Sequence, residues 1–523
     1  IMAIDICSKR KMALTGQVGS APSLFLWDAE TGQKIKKFQV SKGARAINAC
    51  AISNDQKLIA CVDLHNEHQV HVFDVSTGAS CLKAKGDTNK IYDIKFSQQP
   101  GSTAFCTVGN KHCYFWDASE SGGNKKKGLF GKNDMTSFAC VAYDNEGKAY
   151  TGGSNSLIYK WEGRECAQTI EAHGKGFICT MRWVDGTLYS GGKDGNIVLI
   201  RTSDCTVQQK INFGNPVRAV DCDGTNMIVG LRNGTIVHTQ PNASAAKKEI
   251  MHSHNEGEVW GLDFDNEGNV YTSADDNQVL VWDPTKRVKT SCFKVTDRRQ
   301  KSKRGGASSL SHLPDSQCSR AVAACGNDIA VAGNDGAVMI KDLRSGAEKC
   351  LMQDSTEWIE VMRYSPDGSK LGVGSHDNDI YIYDVAGGYN LLGKLKAHNS
   401  YITNFDWSAD GSYIRSNCGA YELLFFKLDG MCQDASGRTN TTGTIWATET
   451  AKFSWNVEGI FPGATDGTHI NGVSGSKDGK LIACGDDYGL VQLFRNPARK
   501  GAIPRSFRGH SEHVVRVGFA SDD

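Results

Sequence analysis

Proline is scarce in this chain, 10 among 523 residues, while glycine is abundant at 57. That balance suits many tight turns and argues against extended proline-rich linkers. No run of about 18 apolar residues occurs, so no membrane-crossing helix is expected. Neither sign of charge dominates: 59 basic and 58 acidic residues leave a net charge of +1. A whole-protein field drawing the chain to nucleic acid or to a membrane is therefore absent, and neither is expected as a partner. The 18 cysteines include no Cys-x-x-Cys pair, and close neighbours such as Cys106/Cys113 and Cys318/Cys325 lie seven apart. Zinc-finger spacing is missing. The opening residues Ile1 to Ile6 lack the basic and apolar regions of a secretory leader. The cysteines accordingly read as small buried residues of a reducing compartment, not as a disulfide framework. Gly-x-x-x-x-Gly-Lys-Ser/Thr and His-Glu-x-x-His are absent, and no Gly-x-Ser-x-Gly lies in a strand–helix context. No cofactor, no metal and no catalytic activity are expected.

What the chain does have is a repeat. Short β-type runs end in an aromatic or aliphatic residue followed by a polar one, as in Leu24-Phe25-Leu26-Trp27-Asp28, Tyr114-Phe115-Trp116-Asp117 and Val279-Leu280-Val281-Trp282-Asp283. Aligned on the Trp position, the repeats fall at Trp27, Phe73, Trp116, Trp161, Ile200, Thr239, Trp282, Lys341, Tyr383, Phe426 and Leu493, and eight of the ten steps span 39–46 residues. A period of about 40–45 residues ending in Trp-Asp marks WD40 blades. Each blade is a four-stranded antiparallel sheet that cannot bury both faces alone, so blades stack into rings. The expected fold is all-β: two tandem WD40 β-propellers packed together.

Two steps are long. The 59-residue step holds Asp297 to Ser309, basic and rich in Gly and Ser, which reads as an exposed loop. Because it follows the seventh repeat, the boundary is expected there: an N-terminal propeller of about seven blades over 1–290, and a C-terminal propeller over 291–523 with a basic insertion near 297–317. The 67-residue step holds Phe453 to Val457 and Gly459 to Gly463, which read as further strand material with a turn. The last repeat reaches Phe519 without a third strand. Both ends therefore look cut, and flanking sequence is expected to complete the second ring.

WD40 repeats carry a His before the first strand and an Asp in the turn before the third. The set is most complete at His254, Ser273, Asp276 and Trp282, with partial versions at His173 and Asp194, at His398, and at Asp377. Hydrogen bonds to charged groups contribute about 1.5–3 kcal/mol each, so these residues are expected to lock blades. A catalytic His-Asp pair would need a nucleophile that the sequence does not place. The basic clusters are Lys125, Lys126 and Lys127; Arg298, Arg299, Lys301, Lys303 and Arg304; and Arg495, Arg499, Lys500, Arg505 and Arg508. Each is a solvated face or a docking patch for an acidic surface.

Several segments go beyond the generic repeat: Gly128-Leu129-Phe130-Gly131-Lys132, Val361 to Gly368, Gly374 to Tyr381, Ser400 to Glu422, and Gly459 to Thr468 with its Phe-Pro-Gly and Asp-Gly-Thr. In these the chain resembles the echinoderm microtubule-associated protein-like family over nearly its whole length. The resemblance implies a pair of propellers binding tubulin and microtubules, alone or with other microtubule-associated proteins, in the cytoplasm and cytoskeleton, with a ciliary axoneme as one setting. The first two basic clusters are then the expected tubulin contacts. The alternative is a general WD40 adaptor, such as a ubiquitin-ligase substrate receptor or a trafficking scaffold, which would capture peptides at a ring's central channel.

Overall fold

A computed structural model describes residues 2–7, 11–119, 125–255, 257–265, 267–295, 318–461, 469–510 and 512–520. Among them the chain forms eleven four-stranded sheets, each a meander of consecutive strands. All the strand pairings are antiparallel, from Ala3–Cys7 on Met12–Gly16 to Leu490–Arg495 on Arg505–Arg508. The eleven sheets match the eleven repeats. The first strand of each sheet lies innermost: in the first six sheets Ala3–Cys7, Ile47–Ile52, Ile91–Phe96, Phe138–Tyr143, Ile178–Val184 and Val217–Cys222 neighbour one another in that order.

Cores form between sheets and not within them. Leu14, Leu24 and Leu26 of the first sheet pack with Ile47, Ile59 and Phe73 of the second. Tyr150 and Ile158 of the fourth pack with Ile178, Leu188 and Val198 of the fifth. A sheet removed from its neighbours would expose both apolar faces, which is why the blades must stack. The glycine doublets serve this stacking. A Cβ on Gly152 would lie 2.8 Å from the Ile178 side chain, and one on Gly191 would lie 2.5 Å from Val217. The second strand of one sheet thus needs glycine beneath the first apolar residue of the next sheet.

The chain divides into two compact units, Ile1–Ser253 and His254–Asp523. This corrects the expected boundary at 290 and the expected seven blades before it. The first unit holds six sheets, and the sheet over 259–294 belongs to the second. The reason is packing: Tyr271, Val279 and Val281 share one core with Val322, Ile329 and Val331 of the following sheet. Composition marked the basic stretch as a boundary, but cores are shared across it.

The second unit has five sheets and two segments without one. The first segment corrects the reading of further strands: Gly437–Asn440 is a short helix and Trp455–Ile460 a 3-10 helix. Between them the backbone is tied to the flanking sheets. Ala447 N donates to Trp407 O at 2.8 Å, and Gly475 N donates to Glu449 O at 3.0 Å. The second segment lies over 512–520. Val514 sits on Gly485, whose Cβ would approach it to 2.5 Å, as Ile178 sits on Gly152. Gly518 meets Phe264 of the first sheet of this unit. The segment therefore takes the place of an innermost strand between the sheets at 470–508 and 259–294. In the eleventh repeat the Trp position is Phe494, not Leu493: Phe494 pairs with Ile482 and is buried, as Trp27 pairs with Ala13. A one-residue slip moves a strand residue to the opposite face.

Candidate functional site

The blade network is present and repeats. Trp27, Trp116, Trp161 and Trp282 each donate their indole N–H to a threonine on the preceding strand: Thr15 at 2.7 Å, Thr107 at 2.9 Å, Thr151 at 2.9 Å and Thr272 at 2.8 Å. In the seventh sheet His254 Nδ1 donates to Asp276 at 3.0 Å, and its Nε2 accepts from the Thr272 hydroxyl at 2.9 Å. This corrects the assignment of Ser273. Successive strand residues face opposite ways, so Thr272 faces Trp282, while the buried Ser273 hydroxyl faces away and has no partner. In the fifth sheet His173 Nδ1 donates to Asp194 at 2.9 Å, and Ser190 donates to His173 Nε2 at 2.8 Å. Burial pushes the Asp194 carboxyl up, but hydrogen bonds from Asn196 and His173 outweigh it and bring the group to about 2. Burial pushes His173 below its ordinary value, so the ring is neutral at pH 7. Asp377 has no histidine partner. It accepts from Ser355 at 2.8 Å and from Tyr381 at 2.5 Å.

His398, Cys418 and Glu422 bring three ligand-type atoms within 4.8 Å of one another. Their bonding capacity is already taken. His398 Nδ1 donates to Glu422 at 3.2 Å, Ser416 donates to His398 Nε2 at 2.6 Å, and Glu422 also accepts the Asn399 backbone N–H at 3.0 Å. Glu422 does here what Asp276 does in the seventh sheet, so the group is another blade lock.

Sequence reasoning missed the residues that face the centre of the second unit. In each innermost strand the second residue is a β-bulge: the register breaks between Val259 and Gly261, Ser319 and Ala321, Ile359 and Val361, Ile402 and Asn404, and Ile470 and Gly472. A bulge leaves its extra residue unpaired and re-aims the side chain. The five re-aimed residues are Trp260, Arg320, Glu360, Thr403 and Asn471. Arg320 lies between two indoles, 3.9 Å from the Trp260 ring centre and 4.4 Å from that of Trp358. Trp260 is held by its N–H to Asp275 at 2.8 Å. His376 packs on Trp358 and stacks on Tyr401 with centres 4.5 Å apart. Arg516, from the terminal segment, donates to the Glu360 carboxylate at 3.0 Å, to Glu360 O at 2.9 Å and to Trp260 O at 3.2 Å. Burial pushes the Glu360 carboxyl up, but the His376 hydrogen bond and the Arg516 charge hold it below its usual range. Beside these groups is a cavity of about 200 Å³, lined by Trp260, Tyr401, Thr403, Tyr421, Lys452 and Arg516, among others. The available signal was positional: the second residue of every first strand.

Among the basic clusters, Lys126 and Lys127 form the outer strand of the third sheet and Lys125 precedes it, all three exposed. The Lys125 ammonium donates to Gly86 O and lies 4.7 Å from the Tyr114 ring centre. Arg495, Arg505 and Arg508 are exposed on the last sheet, and Arg499 and Lys500 on the connection between its last two strands. Arg298, Arg299, Lys301, Lys303 and Arg304 lie outside the described residues. No described helix is long and apolar enough to cross a membrane.

Four-stranded blades sharing inter-sheet cores, with Trp–Thr–His–Asp locks, define a tandem WD-repeat β-propeller protein. The profile of the echinoderm microtubule-associated protein first beta-propeller matches residues 1–243, and that of the second beta-propeller matches residues 259–523. The chain belongs to this family. It is 47% identical over 529 residues to a ciliary WD repeat-containing protein, ctxp80, of Euplotoides octocarinatus, covering 100% of this chain and 74% of the relative. It is 30% identical to the 77 kDa echinoderm microtubule-associated protein of Lytechinus variegatus, covering 97% and 76%. It is 29% identical to human echinoderm microtubule-associated protein-like 3, covering 96% of this chain but 58% of that one. These relatives carry names for microtubule association or a ciliary place.

Proposed function

We propose that this chain is a non-catalytic microtubule-associated protein whose two propellers bind tubulin as a rigid scaffold on ciliary microtubules. The observation that carries the reading is the ordered match of both halves to the two propellers of one family, joined to the names of its relatives. The inter-sheet cores support rigidity: each blade is held by its neighbours. The locks support a non-catalytic role, because the His-Asp pairs are closed by serine or threonine hydroxyls inside the blades. The contacts assigned to an acidic tubulin surface are Lys126 and Lys127, with Lys125 anchoring their strand, and the basic stretch from Arg298 to Arg304. Exposed charges are screened beyond a Debye length of about 8–10 Å, so such binding should weaken with salt.

Microtubule co-sedimentation across a salt series tests the reading. Pelleting at low salt that fades as ionic strength rises is expected. A folded chain that stays in the supernatant at low salt would favour the adaptor reading instead. One observation speaks for that second reading: the polar cavity facing the centre of the second unit.

A further inference from the structure

The cavity of the second unit has a one-sided hydrogen-bonding inventory. Its carboxylate, Glu360, is occupied by Arg516 at 3.0 Å and His376 at 3.3 Å. Its donors are not. The Lys452 ammonium makes a single hydrogen bond, to Ile470 O at 3.1 Å, and no ion pair among the described residues. Burial pulls Lys452 below its ordinary value, and the Arg516 charge pulls it further; Glu360 and Asp487 oppose this without reversing it. The buried Thr403 hydroxyl has no partner among the described residues. A buried donor left unmet is destabilising, and what satisfies it is an acceptor.

We propose that this cavity is a receptor for an acidic side chain of an extended partner peptide, with its carboxylate seated on Lys452 and within reach of Thr403. A volume of about 200 Å³ is small for a drug-sized ligand and suits a side chain. Tyr401 and Tyr421 stand at the cavity 41% and 52% exposed, and they offer apolar platforms to the flanking backbone. A cationic guest would meet Lys452 and Arg516. A neutral one would leave the ammonium without a counter-charge.

The first unit shows the contrast. Its bulge residues are Asn48, Tyr92, Ala139, Cys179 and Arg218, and the partly buried Lys95, on one of those strands, is ion-paired: it donates to Asp5 at 2.6 Å. Lys95 is thus closed by an ion pair, whereas Lys452 has none among the described residues. The proposal stands apart from lattice binding, since the peptide is measured without tubulin.

The test is fluorescence anisotropy of a labelled oligo-glutamate peptide on the whole chain, with oligo-glutamine as control. The glutamate peptide is expected to bind about tenfold or more tighter. Lys452→Met should erase that preference, Lys452→Arg should keep most of it, and Lys126→Glu with Lys127→Glu should leave it in place. Equal binding of the two peptides, or a loss that follows the surface lysines and not Lys452, overturns the proposal. Should Lys452→Met lower the melting temperature, Thr403→Val and quenching of the chain's tryptophan fluorescence decide. Weakened glutamate binding with saturable quenching supports the site; full affinity with no quenching overturns it.

Discussion

Glu360 and Arg516 are 156 residues apart in sequence, and their side chains meet at 3.0 Å. One guanidinium ties the terminal segment to three innermost strands, because it also reaches Trp260 O, Glu360 O and Asn404 Oδ1. Both side chains are at most one-fifth exposed, so solvent screens the pair only partly. Removing one partner leaves a largely buried charge, which costs about 3 kcal/mol. Arg516→Met is therefore expected to lower the melting transition of the second unit and spare that of the first, read by calorimetry. With Glu360→Gln added, the losses should fall short of their sum by about 1–2 kcal/mol. Additive losses would show that the two groups act independently.

Thr272 and Ser273 are adjacent, yet only Thr272 belongs to the lock. Its hydroxyl oxygen accepts from Trp282 while its proton goes to His254. Thr272→Val keeps the shape and strands both partners, at a cost of about 1–3 kcal/mol. Ser273→Ala removes a buried hydroxyl that bonds to nothing, so its effect should be within about 0.5 kcal/mol or slightly stabilising. Chemical denaturation of the two variants side by side distinguishes them; equal losses would place Ser273 back in the network.

The locks were legible because they lie close together in sequence: Trp282 and Thr272 are ten residues apart, His254 and Asp276 twenty-two. The periodic Trp positions gave the sheets for the same reason, since every strand pairing is a local hairpin. The choice between Thr272 and Ser273 was not legible, because it depends on which strand face turns toward the indole. The boundary was misplaced because the sheet over 259–294 has the same pattern as those before it, and its allegiance is set by the long-range core with Val322 and Val331. The residues at the centre of the second unit escaped notice because bulge positions carry no compositional rule: Trp260, Arg320, Glu360, Thr403 and Asn471 share a place in the fold and no chemistry. Arg516 joins them from the segment over 512–520, 156 residues beyond Glu360.

The three lysines of the third sheet should not behave alike. Lys125 is bonded to Gly86 O and lies over Tyr114, whereas Lys126 and Lys127 are exposed on a two-residue outer strand. Lys126→Glu with Lys127→Glu should reduce microtubule pelleting about threefold or more at low salt with little change in melting temperature, since exposed substitutions usually stay within about 0.5 kcal/mol. Lys125→Ala should show up as lost stability, because it removes a hydrogen bond and a cation–π contact of about 0.5–2 kcal/mol. Pelleting unchanged by the double reversal would move the lattice contact elsewhere.

Asp263 gives the second unit a pH dependence of its own. Burial raises its carboxyl from 3.8 to about 6, against the Ala324 backbone N–H at 2.8 Å and the Arg363 charge, which both favour the ionised form. Between those two values the folded chain holds the proton that the unfolded chain has released. Stability from this group therefore falls as pH rises from about 4 to about 6, and it stays lost above that. The full loss is at most about 3 kcal/mol, because each tenfold change in proton affinity is worth about 1.4 kcal/mol. Asp263→Asn keeps an oxygen for the Ala324 N–H and removes the buried charge. Its melting temperature should match the parent's near pH 4 and exceed it by a few degrees at about pH 7.5. An asparagine variant less stable than the parent at that higher pH would show that the Asp263 charge, through Arg363, contributes more than its burial costs.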